Sequence, residues 1–471
     1  MEILTALPTA GRIVRQAFRL LATTSDMIVG RIPHLPLLAR PGLARLLVVG
    51  VAVAMVLVLA RPAAAEPGTP VGYPAGAAST RYAGAAFDTC TAPSLSTLGA
   101  WSASPYRAIG IYIGGYRACA QPRLTTTWVA QATKRGWRLL PIYVGRQAPC
   151  AWRTFEHVIS ESPLATRQGR DAAAYAVKRA KGLGLRPGSG IYLDIEYYDP
   201  NDSACRTAVR RYVSGWTKRL HSAGYLAGVY SSTSGLKHLA GTYMSTSYAR
   251  PDAVWLARWD GSSKLIDWPG IPNRKWAVHQ RAKQYRGDHI ESYGGVRLRI
   301  DTDRLNAPVG TVAYPYRVTA NGLNARTGPG TSYPVVRVLP KGSAVRVVCW
   351  TRGTKVKTTS VWRKLANGTY VSGYYLTPPP RTSYPVPPPR CVYPYQVTSR
   401  TGLYQRTGPG TSYAIAGGLS PGALAWVVCQ RSGSRVGTTK VWDRLNNGRW
   451  VSDYYVATPS KTTRSKPIPR C

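Results

Sequence analysis

The sequence predicts an α/β protein: a (β/α)8 barrel of the TIM type over residues 82–310, followed by two small all-β barrels. Strand-like apolar segments alternate with helical segments in residues 82–310, with short or absent helices in the sixth to eighth units, which is typical of a barrel built from βα units. In the last third of the chain the helical period disappears, and one stretch of sequence is repeated among glycine-rich turns. The chain is 471 residues long, which is enough for several domains with separate cores.

Residues 1–65 are predicted to be an export signal, and residues 66–81 a flexible, Gly/Pro/Ala-rich leader. Arg40 and Arg45 precede an apolar run from Leu46 to Ala60, and Ala63-Ala64-Ala65 offers a small-residue cleavage site. The run is short for a bilayer span, so we expect no stable membrane span after cleavage. A retained anchor is the alternative. The signal predicts a secreted, extracellular protein.

Eight strands are predicted in the first domain from their β-branched and aromatic content. They are Gly84–Thr89, Ala108–Ile113, Arg138–Val144, Gly190–Tyr197, Leu226–Ser231, Ala253–Trp259, Trp276–Gln280 and Val296–Asp301. The clearest helices are Pro163–Lys181 and Ala204–Ser222. Ser162 supplies a capping hydroxyl to the first of them, and Gly182 and Gly184 end it.

Acidic residues stand at the predicted C-terminal ends of three strands, where barrels of this type carry their sites. Asp88 ends the first strand, Asp194 and Glu196 the fourth, and Asp301 the eighth. Side chains alternate along a strand, so Asp194 and Glu196 share one face with Cα atoms about 7 Å apart. Such a pair can hold one protonated and one ionised carboxyl, as glycoside hydrolysis requires. The alternative is a polar strand end with solvated or salt-bridged acids.

Aromatic and amide side chains near the predicted strand ends are candidates for binding a sugar. The chain has only three Phe beside 30 Tyr and 14 Trp, a composition that suits carbohydrate surfaces. The candidate substrate-binding residues are Tyr143, Tyr230, Trp255, Trp259 and Gln280. Packing inside the barrel is the alternative for each of them.

The eight cysteines indicate disulfides, because the chain is predicted to be exported. Cys349 and Cys391 are separated by the same interval as Cys429 and Cys471, which predicts one bridge in each of two repeated modules. The other four follow the first four predicted strands, and three pairings remain open for them: Cys90, Cys119, Cys150 and Cys205.

Three segments of the first domain resemble a known family. They are Phe87-Asp88-Thr89-Cys90, Gly110–Gly115 and Ile191–Glu196. They resemble the glycoside-hydrolase-like domain of unknown function in exported actinobacterial proteins, which is similar to the family-25 glycoside hydrolases, the Chalaropsis-type lysozymes. The resemblance covers about Gly84 to Leu305 and implies a muramidase that cleaves peptidoglycan.

The same resemblance implies roles for single residues. Glu196 would be the general acid, with Asp194 as its partner on the strand. Asp88 would be the first-strand carboxylate and Asp301 the acid of the final strand. The segment Trp276–Gln280 looks like the penultimate strand of the family, which ends in Gln.

The C-terminal third contains two copies of one module. Leu323-Asn324-Ala325-Arg326-Thr327-Gly328-Pro329-Gly330 returns as Leu403-Tyr404-Gln405-Arg406-Thr407-Gly408-Pro409-Gly410, and Trp362 matches Trp442. Both copies resemble bacterial SH3 domains, which implies SH3-like barrels that bind cell-wall peptide or glycan. We assign the copies to residues 314–377 and 393–471, joined by a stiff Pro-rich linker at 378–392.

The charge predicts an anionic partner. The net charge is +42, and residues 313–471 carry 23 Lys and Arg against two Asp, a surplus of 21. Such a field favours anionic wall polymers and weakens with salt. No nucleic-acid recognition motif accompanies it, so no specific nucleic-acid partner is expected. The alternative is a charge that serves only solubility.

The motifs of several enzyme classes are absent from the sequence. We find no Gly-x-Ser-x-Gly elbow, phosphate loop or His-Glu-x-x-His helix, and no Cys/His cluster with zinc spacing. We therefore expect no metal and no cofactor. The leading expectation is a cell-wall-associated glycosidase whose partner is peptidoglycan or a related polysaccharide. The alternatives are a barrel that holds glycan without cutting it, and an envelope protein held by charge.

Overall fold

The computed structural model describes residues 79–380, 387–466 and 468–471. The predicted signal at residues 1–65 lies outside the described residues, as do residues 66–78 of the predicted leader and residues 381–386 of the predicted linker. The described chain forms a closed barrel of eight strands, followed by a seven-stranded and a six-stranded sheet.

The strands follow one another around the barrel in chain order. They are β1 Thr80–Asp88, β2 Ala108–Gly115, β3 Arg138–Val144, β4 Gly190–Asp194, β5 Leu226–Ser232, β6 Ala253–Ala257, β7 Arg281–Tyr293 and β8 Val296–Val309. Neighbours from β1 to β7 are parallel. In contrast, β8 is antiparallel to both β7 and β1. The closed eight-stranded barrel is confirmed, but its last strand does not have the parallel direction of a (β/α)8 barrel.

Helices follow only the first five strands of the barrel. They are α1 Leu95–Ala100, α2 Thr126–Lys134, α3 Leu164–Gly182, α4 Ser203–Ser222 and α5 Thr233–Gly241. The bounds of α3 and α4 lie within one residue of those predicted, and Ser162 Oγ accepts the backbone N–H of Leu164 at 3.2 Å. Residues 258–280 contain turns instead of a helix. In the described part of the chain, no helix is both long and apolar enough to cross a membrane.

The predicted seventh strand, Trp276–Gln280, is wrong. Residues 276–279 form turns, and β7 begins at Arg281. It runs into β8 through Gly294 and Gly295, whose φ values are 56° and 76°. Two glycines at positive φ form the tight turn of a β-hairpin, and a two-residue turn forces antiparallel pairing. The Gly-Gly pair between two alternating segments was the sequence signal for this hairpin.

Other strand ends also differ from those predicted. The long β8 pairs with β1 from Thr80↔Val309 to Asp88↔Asp301, so residues 80 and 81 belong to β1 and not to the leader. The fourth strand ends at Asp194, before Glu196, and the sixth at Ala257, before Trp259. Glu196 and Trp259 therefore lie on the loops of the barrel mouth.

The barrel has two apolar layers, because side chains alternate between its inside and its outside. Small and aromatic residues fill the inside, including Ala86, Ile142, Tyr192 and Trp255. The outward residues pack against the helices in a larger layer. The inside is therefore filled with side chains below its mouth.

The C-terminal sheets are antiparallel, and their strand bounds repeat along the chain. The first contains β9 Tyr314–Val318, β10 Gly322–Arg326, β11 Val335–Pro340, β12 Ala344–Val356, β13 Thr359–Leu365, β14 Tyr370–Ser372 and β15 Leu376–Thr377. The second contains β16 Tyr393–Gln396, β17 Leu403–Arg406, β18 Ile415–Leu419, β19 Leu424–Val436, β20 Thr439–Leu445 and β21 Trp450–Ser452. Trp362 and Trp442 make the same contact, each donating its indole N–H to a backbone oxygen at 2.8 Å.

Four disulfides join the eight cysteines. Cys349–Cys391 and Cys429–Cys471 pair as the equal spacing predicts. In the barrel, the bridges left open by the sequence are Cys90–Cys119 and Cys150–Cys205. Both hold loops that follow strands β1 to β4, so they brace the C-terminal face of the barrel.

Candidate active site

The mouth of the barrel carries a cluster of carboxyl groups on its inner face. Asp88 ends β1 and is paired in register with Asp301 of β8. Asp303 lies on the same inner face of β8, where it accepts the indole N–H of Trp255 at 3.0 Å. Asp88 is 2% exposed and Asp303 is fully buried. Because β8 runs antiparallel, its acids reach the mouth from the middle of the strand and not from its end.

Gln284 of β7 joins this cluster into one hydrogen-bonded network. Its Nε2 donates to Asp88 Oδ2 at 2.9 Å and to Asp301 Oδ2 at 3.2 Å. Its Oε1 accepts from the Tyr230 hydroxyl at 3.0 Å and from Trp259 Nε1 at 2.9 Å. One amide thus uses both donors and its acceptor to fix two carboxyls and two aromatic rings.

Asp194 and Glu196 lie beside this network, in different surroundings. Asp194 is nearly buried, and its Oδ1 has no hydrogen-bond partner among the described residues. The Glu196 side chain is 30% exposed, 3.5 Å from Arg117 and 3.4 Å from Arg153. Trp152 Nε1 also donates to it at 3.4 Å. The two acids are therefore close in sequence and in the fold, but the Asp194 carboxyl is shielded from solvent and the Glu196 carboxyl is partly exposed to it.

The surroundings favour protonated carboxyls in the cluster. Burial, then the charges of Glu196 and Asp88, raises the pKa of Asp194 to about 8. Burial, then the Asp301 charge, raises the pKa of Asp88 to about 7. Burial is also the main cause that raises the pKa of Asp301 and, well above its usual range, that of Asp303. Groups with such pKa values can hold or release protons near neutral pH.

Three of the five predicted sugar-binding residues lie at the mouth. Tyr230 and Trp255 point into the barrel, with ring centroids 5.0 Å apart. Trp259 is 61% exposed and has the accessible ring face that a sugar needs. Trp255 is 1% exposed, so it packs and positions Asp303 instead of meeting solvent.

The other two are not at the mouth, and their predicted placement is wrong. Tyr143 points outward from β3, and its ring centroid is 5.6 Å from that of Trp216 in α4. Gln280 is buried before the start of β7, where its Nε2 donates to the Asp252 carbonyl and its Oε1 accepts the Leu424 N–H. Gln280 therefore lies at the opposite end of the barrel, against the second sheet.

Several residues of the site were missed by sequence reasoning. They are Gln284, Asp303, Tyr112, Arg117, Arg153 and Trp152. The Asp-x-Asp at 301 and 303 was a usable signal, because alternate residues of a strand share a face. Gln284 was missed because the seventh strand was predicted at residues 276–280, before the position of Gln284 in the chain. Within the described ranges, no group of three or more potential ligands could hold a metal ion.

One family model matches the barrel. Residues 99–305 match the Rv2525c-like, glycoside hydrolase-like domain. Two curated relatives from Bacillus subtilis (strain 168) match shorter segments: the uncharacterized proteins YraI, 37% identical over 60 residues, and YraJ, 36% identical over 66 residues. These segments are 11% and 12% of this chain, and they span only 50% and 56% of the relatives.

Solved structures with similar folds include secreted and lytic proteins. The Mycobacterium tuberculosis Tat-secreted protein Rv2525c, crystallised with L-tartrate, is 14% identical with a TM-score of 0.33, covering 48% of this chain and 96% of its own. The bacterial lysozyme from Streptomyces coelicolor is 18% identical with a TM-score of 0.31, covering 48% and 93%. Likenesses at these identities and scores assign no activity. By this match, residues 99–305 of the barrel are similar to a glycoside hydrolase-like domain.

Proposed function

We propose that the protein is a secreted glycoside hydrolase that cleaves peptidoglycan or a related amino-sugar polymer. The observation that carries this proposal is the cluster of carboxyls at the barrel mouth, with buried acids beside the open Glu196. Glycoside hydrolysis needs one carboxyl that delivers a proton and one that stabilises the positive sugar or activates water. The two C-terminal modules, which resemble bacterial SH3 domains, would hold the enzyme on the wall.

In this proposal Glu196 protonates the glycosidic oxygen, because it is the acid that a sugar chain can reach. Asp194 stabilises the oxocarbenium-like centre or orients an N-acetyl group, and Asp88 and Asp301 adjust the local field. In the free protein the pKa of Asp194 is raised, and Glu196 lies beside two guanidinium groups. A sugar chain bound at Glu196 would displace Arg117 and Arg153, which lie 3.5 and 3.4 Å from its carboxyl oxygens.

A second candidate is a wall-binding protein whose barrel holds glycan without cutting it. The contacts of Glu196 with Arg117 and Arg153 favour it, since two cations already occupy the carboxyl that a hydrolase would use as its acid. The same arginines and the exposed Trp152 and Trp259 would then form the binding surface.

The release of soluble sugar fragments from purified sacculi separates the two candidates. We expect release by the wild type, and a rate about 100- to 10,000-fold lower for Glu196→Gln. Glu161→Gln, an exposed acid before α3, serves as the matched control and should leave the rate unchanged. Release that survives in Glu196→Gln refutes the assignment of the acid. Tight binding of wild type to sacculi of several wall types, with no release, favours the second candidate.

A further inference from the structure

The two C-terminal sheets border a cleft whose charged side chains, among the described residues, are all arginines. Two adjoining cavities of about 580 and 490 Å³ share Arg464, Arg470 and Cys471 in their walls. We call them together the arginine cleft, and its cations are Arg352, Arg390, Arg431, Arg444, Arg464 and Arg470. Among the described residues that line it, none is a lysine, an aspartate or a glutamate.

Two of these arginines are held in the same way in the two modules. Arg390 and Arg470 each stand between a proline and the last cysteine of their module's disulfide. The strand residue opposite, Trp350 or Gln430, donates its N–H to the proline carbonyl at 3.0 or 2.8 Å. The backbone carbonyl of the same strand residue accepts the cysteine N–H, at 2.7 Å in the first module and 2.9 Å in the second. Backbone pairing and a covalent bridge therefore fix the backbone of both arginines at the edge of the cleft.

The described side chains that line the arginine cleft carry positive charge without an acidic side chain among them. The Nε atoms of Arg390 and Arg444 are buried and have no hydrogen-bond partner among the described residues. Burial, then the charges of Arg444 and Arg352, lowers the pKa of Arg390. The only two acids in residues 313–471, Asp443 and Asp453, are fully buried and bonded to Gln430. An anion in the cleft would relieve the repulsion and satisfy the free donors.

We propose that the arginine cleft binds the phosphodiester backbone of an anionic cell-wall polymer, of the teichoic-acid class. The planar guanidinium fork matches the oxygens of a phosphate, whereas a site for a point charge would use lysine equally well. Each cavity is of the size that holds a drug-sized ligand, so the cleft spans several repeats of a polymer.

Nucleic acid has the same backbone chemistry but fits the cleft less well. Proteins that bind single strands combine cations with aromatic rings on which the bases stack. Tyr333 is the one aromatic residue among the described residues that line the arginine cleft. A polymer without bases uses the cations alone.

The inference rests on the proposed function for its location at the wall, but it has an independent test. The full chain is titrated by calorimetry with a synthetic oligo(glycerol phosphate), at fixed ionic strength. Arg390→Gln/Arg470→Gln should weaken binding about tenfold or more. Arg337→Gln/Arg400→Gln, which removes two exposed arginines outside the cleft, should weaken it less than about threefold. Arg390→Lys/Arg470→Lys keeps the charge and the fold, and should still weaken binding several-fold.

An equal loss of affinity in Arg390→Gln/Arg470→Gln and in Arg337→Gln/Arg400→Gln would overturn the proposal, since the modules would then attract the polymer only through their net positive charge. Wild-type affinity in the lysine pair would overturn it as well. So would tighter binding of an oligonucleotide with the same number of phosphates, or of phosphatidylglycerol vesicles. Sugar release from sacculi is a separate measurement. An enzyme that cuts but ignores the oligomer fails only this inference, and a chain that binds the oligomer but never cuts fails only the proposed hydrolysis.

Discussion

Replacing Asp194 by Asn should stabilise the barrel in a way that depends on pH. The side chain is nearly buried, and its pKa is raised from an ordinary value of 3.8 to about 8 by burial, Glu196 and Asp88. Ionisation is therefore easier in the unfolded chain. The stability contributed by the protonated form is fully present below about pH 4 and is lost as the pH rises through about 8. Asn resembles the protonated acid in shape but does not titrate.

The size of the effect follows from the pKa difference. At pH 7 the wild type is destabilised by roughly 4 kcal/mol relative to a group that does not titrate, at about 1.4 kcal/mol per pH unit. From pH 5 to pH 8 the advantage of Asp194→Asn should grow by about 4 kcal/mol. For a domain of this size that corresponds to roughly 10 °C in Tm.

Differential scanning calorimetry between pH 5 and pH 8 measures this difference. The matched control is Asp171→Asn on α3. Its side chain is 73% exposed, and its ion pair with Arg167 on the same helix is long at 3.9 Å. Its Tm difference from wild type should stay constant with pH, because a surface pair of this kind contributes little. A Tm gap for Asp194→Asn that stays constant, or that narrows toward pH 8, would refute the burial and coupling of this acid.

Two further predictions concern buried polar groups. Gln284→Leu removes the donors of Asp88 and Asp301, and should destabilise the barrel by about 2–4 kcal/mol, measured as a lower urea midpoint. A loss below 1 kcal/mol would mean that water replaces the amide. In the second sheet, burial and then the Asp453 charge raise the pKa of Asp443, and burial raises the pKa of Asp453 to about 6. Asp443→Asn should therefore raise Tm by several degrees at pH 8 and little at pH 5. A larger rise in Tm at pH 5 than at pH 8 would contradict the burial of Asp443 beside Asp453.

The architecture could be predicted where it depends on local patterns. Alternation of strands and helices, the bounds of α3 and α4, and the repeat with its cysteine spacing are all visible in the chain. The direction of β8 was not predicted, because the period of a strand is the same in parallel and antiparallel pairing and the Gly-Gly signal was not used. The short Gly294-Gly295 turn decided that direction.

The site shows the same division. Acids near the predicted strand ends pointed to Asp88, Asp194, Glu196 and Asp301, although only Asp88 and Asp194 end their strands in the structure. Gln284 and Asp303 lie inside long strands, and their contacts depend on the register between β7 and β8, which shifts just after Gln284. A sequence does not specify such a register until the partner strand is known.

The sequence by itself determined which chemical groups the protein has and roughly where along the strands they lie: an acid pair, tandem β modules, a large positive charge and paired cysteines. Only the tertiary structure decided how those groups behave. It left Glu196 open beside two arginines, buried Asp194 so that its pKa rises, and gathered six arginines around one cleft. The reason is that protonation and ion pairing depend on burial and on distances across the fold, and segments far apart in the chain set both.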